Sequence, residues 1–371
     1  MSKPLMPPPR DLRLDILRGW MQLSIFISHV AGSLYFYGIH AAWGLSDSSE
    51  QFILLSGLAL GSLFTLKASR GGFGMAWQDL RLRIWNLWRM HMLVFFIFAT
   101  LVLAVTLTGA VPDEATRLGW DWLIEKPWLA VPAGAIALYQ PQFIGILPLF
   151  IFCMLLLPVF MWLTARWGGL ALVPSFLLWL AVQCDLVATP ALGGQPVAFD
   201  PLAWQFLYMI GAYLGRRSLL TGGHAVSRHP FLIAGALMVV VVGLVARLVE
   251  HGLLPGNIGT AVHLYEGKTT LSALPLLHAL GLAYLVAVFV PRDHRWMHHA
   301  IGGILATLGR NSLYVFCLGL FLSWGITTMM MIRPDRMRLM DLALVPMGVV
   351  ALVVFARAKE TRMMRAKAAR A

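Results

Sequence analysis

The sequence predicts an all-α polytopic integral membrane protein of about ten transmembrane helices with both termini cytoplasmic. Three observations carry that expectation. The 371 residues are 59% hydrophobic and only 12% charged, roughly half the charged share of a soluble domain. Apolar runs long enough to cross the hydrocarbon layer recur from end to end, and in lipid only helices and closed barrels satisfy their own backbones. A barrel would show short alternating segments instead. Finally, Lys and Arg are sorted by loop, as the positive-inside rule requires.

The expected spans are 14–37, 50–68, 86–108, 142–165, 169–189, 202–217, 230–250, 270–290, 312–332 and 339–357. The first follows the basic segment Lys3, Arg10 and Arg13. It is too long for a signal peptide, holds Arg18 and His29, and lacks a small-residue cleavage site, so it reads as a retained span. The second begins at Asp47-Ser48-Ser49-Glu50, a good helix start. Gln140-Pro141-Gln142 opens the fourth, and Asp200-Pro201 the sixth. That sixth span is short and carries Gly211 and Gly215, so a break or tilt is expected there. The whole chain, 1–371, reads as a single transmembrane domain with basic cytoplasmic tails at 1–13 and 358–371.

One set of loops carries Lys67, Arg70, Arg81, Arg83, Arg89, Arg166, Arg216, Arg217, Arg228, Arg292, Arg295 and Arg310 together with both tails, and is assigned to the cytoplasm. The other has Arg117, Lys126, Lys268 and the trio Arg333, Arg336 and Arg338. The trio runs against the rule, so either the ninth span is drawn wrongly or an outer loop has a basic role. The outer connection 109–141 is the longest and carries Trp120, Trp122 and Trp128 with Asp113, Glu114, Asp121 and Glu125. Carboxylates and flat rings suit a carbohydrate; belt tryptophans at the membrane interface explain the same pattern. Net charge is +12, but the basic residues follow the loops rather than forming a nucleic-acid patch. No nucleic acid is expected as a partner. Cys153, Cys184 and Cys317 lack metal-ligand or disulfide-framework spacing and suit packing. No metal site is expected, and the oligomeric state stays open.

Chemistry concentrates in the first span. Arg18 and His29 are eleven positions apart, which returns to nearly the same helix azimuth about 16 Å along the axis. Asp15 and Gln22 share that stripe. One such polar residue is commonly a satisfied bundle residue, and Asp15 with Arg18 suits an interfacial ion pair. Four on one face point to a cavity that does chemistry or transport. His29 is the candidate general base, and Arg18 the candidate binder of a phosphate or carboxylate. Glu50, with Asp47, is the candidate carboxylate to orient the imidazole, as in a catalytic triad; helix capping is an equally good reading. Gln142, Asp200 and His278 are weaker binding candidates, Asp200-Pro201 also being simply a helix start. Arg81, Arg83, Arg89 and His91 form a basic edge that could hold a phosphate group, although positive-inside retention is the commoner cause of such an edge. There is no P-loop, nucleophile elbow, zincin motif or dinucleotide fingerprint.

Five segments taken in order resemble the OpgC family. They are Asp11-Leu-Arg-Leu-Asp15-Ile-Leu-Arg18-Gly19 with His29, Ser46-Asp47-Ser-Ser-Glu50-Gln-Phe-Ile-Leu-Leu-Ser-Gly57, Tyr139-Gln-Pro-Gln-Phe-Ile-Gly-Ile-Leu-Pro148, Asp200-Pro-Leu-Ala-Trp-Gln205 and Leu308-Gly-Arg-Asn-Ser-Leu-Tyr-Val-Phe-Cys317. The Arg18-to-His29 spacing also resembles the wider acyltransferase type 3 superfamily. The resemblance implies a multi-pass protein of the bacterial inner membrane that transfers an acyl group, typically succinyl, to glucose hydroxyls of a periplasmic β-glucan. It implies acyl-CoA, with succinyl-CoA foremost, as donor substrate, membrane lipid as surroundings, and no permanently bound cofactor. Pro275 departs from the family pattern, where a basic residue is expected. The rival readings are a transporter of glucan or lipid-linked saccharide, and a scaffold for glucan synthesis. The absence of a visible internal repeat weakens the transporter.

Overall fold

The computed structural model describes residues 11–223, 225–257 and 267–369. Lys3 and Arg10 of the expected N-terminal tail, and Arg370 of the C-terminal one, lie outside them. The regular elements among the described residues are all helical. Five helical segments there are long and apolar enough to cross a membrane: Ser48–Leu107, Ile146–Gln183, Pro230–Glu250, Ser312–Ile332 and Pro334–Ala366.

Two of these are composite. Helix α2, Ser48–Leu107, has 60 residues, about 90 Å if straight, against a hydrocarbon layer of about 30 Å. It breaks at Gly71 (φ −135°, ψ 18°) and Gly72 (φ 76°, ψ 175°). The second of these conformations is open to glycine and costly for other residues. The break separates the expected spans 50–68 and 86–108. Helix α6, Ile146–Trp167, and α7, Leu172–Gln183, meet at a 3₁₀ turn over Gly168–Ala171, beside Arg166. Between α2 and α6 lie three short helices, α3 (Glu114–Leu118), α4 (Asp121–Glu125) and α5 (Pro127–Ala135).

The later elements follow the apolar runs. Helix α8 is Pro201–Leu220, α9 is Pro230–Glu250 and α10 is Ala273–Phe289. After α11 (Ala300–Arg310) come α12 (Ser312–Ile332) and α13 (Met337–Ala368). Helices α9 and α12 coincide with the expected spans. Helix α8 is unbroken despite Gly211 and Gly215, and α11 falls where no element was expected.

The described residues fall into two compact units, one holding 53–223, 225–227 and 267–276, the other 11–52, 228–257 and 277–369. In the first, α2 and α8 press together along small residues. A Cβ on Gly57 or Gly61 would overlap the backbone of Tyr208 or Ala212, and one on Gly211 or Gly215 would overlap the carbonyls of Leu54 or Leu58. The glycines of α8 therefore serve close helix approach, the usual role of small residues at i and i+4 in membranes.

In the second unit the first helix, α1, spans Leu12–Ser28 rather than running to residue 37. Cβ atoms on Gly19 and Gly309 would collide with the carbonyls of Leu305 and Asp15, so α1 and α11 pack backbone to backbone. Buried Phe26, Val315, Val345 and Leu352 join α1, α12 and α13 in one core. Tertiary bonds end α1 early. Thr327 Oγ1 accepts from Ala31 N at 3.1 Å, Asp341 Oδ2 accepts from Leu34 N at 2.8 Å, and Arg338 Nη1 donates to the Gly32 carbonyl at 3.2 Å. Gly32, at φ 72°, turns the chain away. One member of the anomalous arginine trio thus holds the turn that follows α1.

Candidate functional site

Helix α1 starts on Asp11, whose side chain accepts from Arg13 N. Regular helix geometry then puts Asp15, Arg18, Gln22 and His29 on one stripe. His29 is the C-cap residue and keeps right-handed helical angles (φ −89°, ψ −5°), so the stripe runs through to it. Asp15 and Gln22 are buried, whereas Arg18 and His29 are half-buried. His29 Nδ1 lies 2.7 Å from the Ile25 carbonyl oxygen. A carbonyl only accepts, so Nδ1 carries the proton and Nε2 is the basic nitrogen. Between Arg18 and His29, Gln22 is 2% exposed, and neither of its amide heavy atoms finds a partner among the described residues. Leaving such groups unmet would cost about 1–3 kcal/mol each.

At the start of α2, Asp47 Oδ1 accepts from Ser49 N at 2.6 Å and Glu50 Oε2 accepts from Asp47 N at 2.8 Å. This reciprocal pattern is a capping box, with aspartate in the Ser/Thr position. It sets two carboxylates at the positive end of α2, and Glu50 is only 2% exposed there. Capping and a buried carboxylate coexist in Glu50.

A second polar centre lies between α1 and α2 and on α9 and α10. His278 Nδ1 accepts from Ser46 N at 3.3 Å and lies 2.7 Å from Ser46 Oγ. Gly44 and Gly243 flank its ring, and a Cβ on either would meet the imidazole within 3.0 Å. His40 Nδ1 accepts from the Trp20 indole at 3.1 Å. An indole only donates, so the neutral ring keeps its proton on Nε2. That atom is buried without a full hydrogen bond. Burial holds His40 below the ordinary histidine range, while the nearby Asp47 carboxylate and main chain pull the other way. Arg247, on α9, donates from Nε to the Gly44 carbonyl at 3.1 Å and from Nη1 to Glu250 Oε2 at 2.5 Å. Trp20 sits about 180° around α1 from Arg18, so this centre and the Arg18–His29 stripe use opposite faces of one helix.

A family model described as OpgC protein matches residues 10–364. The chain belongs to the OpgC family. Membership points to an OpgC-type, glucan-modifying enzyme of acyltransferase type, and the matched range takes in both polar centres. No curated protein and no solved structure matches the chain.

In this OpgC family member, Asp15, Arg18, Gln22, His29, Asp47, Glu50 and His278 belong to one compact unit, and Gln142 and Asp200 to the other. Asp200 caps α8. Its Oδ1 accepts from Leu202 N at 2.9 Å and Thr189 Oγ1 at 2.7 Å, and its Oδ2 from Thr189 N at 3.2 Å. Gln142 is exposed, with its main-chain N–H on the Leu118 carbonyl at 2.9 Å. The rings of the 109–141 connection mostly build core. Trp120 and Tyr139 are fully buried and pack with Phe95 and Trp122, whereas Trp128 stays exposed. His91 is buried too, with Nε2 on the Gly134 carbonyl at 2.9 Å, so it is not part of an exposed basic edge.

Sequence reasoning missed Trp20, His40, Ser46 and Arg247. Arg247 had a signal, since an ionisable residue inside the apolar run 230–250 marks a site as strongly as Arg18 does.

Proposed function

We propose that this OpgC family member is an O-acyltransferase of the bacterial inner membrane, within the wider acyltransferase type 3 superfamily. It moves an acyl group, succinyl from succinyl-CoA, onto glucose hydroxyls of a periplasmic β-glucan. The observation that carries the reading is the 2.7 Å contact of His29 Nδ1 with the Ile25 carbonyl, which leaves Nε2 as the basic nitrogen at the end of a stripe that also bears Arg18. A sugar hydroxyl gives its proton to Nε2 as its oxygen attacks the thioester carbonyl. The tetrahedral intermediate collapses, the C–S bond breaks, and the imidazolium returns the proton to the departing CoA thiolate. The new bond is an ester and histidine is regenerated. Arg18, nearer the cytoplasm, forks onto the anionic donor, with Asp15 and Gln22 beside it. Asp47 and Glu50 are the candidate carboxylates for favouring a cationic imidazole by their charge, Asp47 lying beside His40. Gln142, Asp200 and His278 are the further acceptor-side candidates. Ten spans, cytoplasmic termini and a donor entering from inside complete the reading, and no resident cofactor is required.

Purified protein in liposomes, given labelled succinyl-CoA and glucan, is expected to release CoA and label the glucan. His29→Ala is expected to insert normally and leave glucan unmodified. Full acylation by well-expressed His29→Ala protein would remove the base. Movement of intact glucan without thioester cleavage would favour a transporter.

A further inference from the structure

Three rings and an ion pair meet in the second unit, where nothing in the proposed chemistry uses them. Tyr37 comes from the 3₁₀ turn Leu34–Gly38, and Trp43 follows a second turn, His40–Ala42. Glu250 ends α9 and His251 caps it. With Leu253 they line an open cleft of about 510 Å³.

The walls are held in place. Trp43 Nε1 donates to the Tyr37 carbonyl at 2.8 Å, and His251 Nε2 donates to the Ala42 carbonyl at 2.8 Å. The rings stand nearly upright to one another: Tyr37 and His251 at 71°, Trp43 and His251 at 70°. Tyr37 is 52% exposed despite its size. Arg247 fixes Glu250, and through the Gly44 carbonyl it ties the cleft to the loop that grips His278.

We propose that this cleft is a subsite for a neutral glucosyl residue of the acceptor, an assignment that rests on the transferase reading above. Rigid rings offer flat apolar faces to the C–H side of a pyranose, and a carboxylate at the rim accepts its hydroxyl protons. The same rings would suit a quaternary ammonium headgroup, but that ligand wants uncompensated negative charge. Here the Glu250 carboxylate is paired with Arg247, whose guanidinium repels a cation. An uncharged polyhydroxyl ligand fits both halves of the pair. Both connections that build the cleft fall on the side assigned to the periplasm by loop charge.

The test is donor-free binding of an unsubstituted β-linked gluco-oligosaccharide to the detergent-solubilised full chain, followed by calorimetry. Tyr37→Ala and Trp43→Ala are each expected to weaken binding about tenfold, as loss of an aromatic anchor does. Glu250→Gln, which keeps the shape, is expected to weaken it less. Trp43→Phe controls for folding and is expected to retain most of the affinity. Wild-type affinity in both Tyr37→Ala and Trp43→Ala, or phosphocholine binding in place of the oligosaccharide, would overturn the assignment. Because no donor is present, the transferase reading fails separately: protein that binds glucan through these rings yet never cleaves succinyl-CoA keeps the subsite and loses the reaction.

Discussion

At the scale of single residues, protonation decides what each histidine does. His29 donates from Nδ1 to a carbonyl, whereas His40 accepts at Nδ1 from an indole. The first arrangement leaves the ring's lone pair on Nε2; the second locks a neutral ring into packing. Burial depresses the His40 pKa below its usual 6.5. The unfolded chain therefore takes up a proton near 6.5 that the folded ring still refuses, and this stability contribution is lost as pH falls below that value. The unfolding midpoint of the wild type is expected to drop between pH 7 and about 5. His40→Gln, which still offers an acceptor to Trp20, is expected to flatten that drop, as thermal melts across the range would reveal. Glu50 gives a second prediction. Its cap bond needs only an oxygen acceptor, so Glu50→Gln is expected to keep the fold and lose about 0.3–1 kcal/mol, the worth of a charge at a helix N-terminus. If its charge supports the imidazolium, the same change lowers transfer at least tenfold, read as CoA release at equal protein. Unchanged transfer would leave Glu50 as a cap alone.

At the scale of elements, glycine seams set which helices touch. Gly19 and Gly309 let α1 and α11 meet at backbone distance, while Gly303 on the same α11 has nothing within 4 Å of where a Cβ would go. Gly309→Ala is expected to lower the unfolding midpoint in detergent, because overpacking costs about 1–3 kcal/mol. Gly303→Ala is expected to leave it level or raise it, since alanine is favoured over glycine in a helix by about 1 kcal/mol. These seams also explain what was legible in the chain. Helices α9 and α12 match their expected bounds because polar or helix-starting residues flank each apolar run. The end of α1 did not show, because Val30, Leu34 and Phe36 continue the apolar run past His29. What stops the helix is a set of bonds to Thr327, Asp341 and Arg338, some three hundred residues away. Helix α11 was hidden for the opposite reason. Its glycines dilute the apolar signal, and its 11 residues are too few to register as a span. At the site, Arg18 and His29 stood out as ionisable residues in an apolar run. His40 and Ser46 lie in a loop whose meaning comes only from α1 and α10.

At the scale of the whole molecule, the proposed reading fixes which side of the bilayer each connection faces. In the proposed topology the N-terminus is inside, so an odd number of crossings brings the chain out at the end of the fifth expected span. Cys184 sits at that point, as the C-cap of α7. It is exposed, while Cys153 and Cys317 are buried. The chain thus carries its own topology probe without any substitution. A membrane-impermeant maleimide added to spheroplasts is expected to modify Cys184, and Cys184→Ser is expected to abolish that labelling. Burial raises the Cys153 and Cys317 thiol barrier to reagent in either orientation, so neither confuses the readout. Labelling of Cys184 only after the membrane is opened would invert the reading. The donor would then meet the His29 end of the stripe rather than the Arg18 end. The aromatic cleft would also face the cytoplasm, where no periplasmic glucan could reach it.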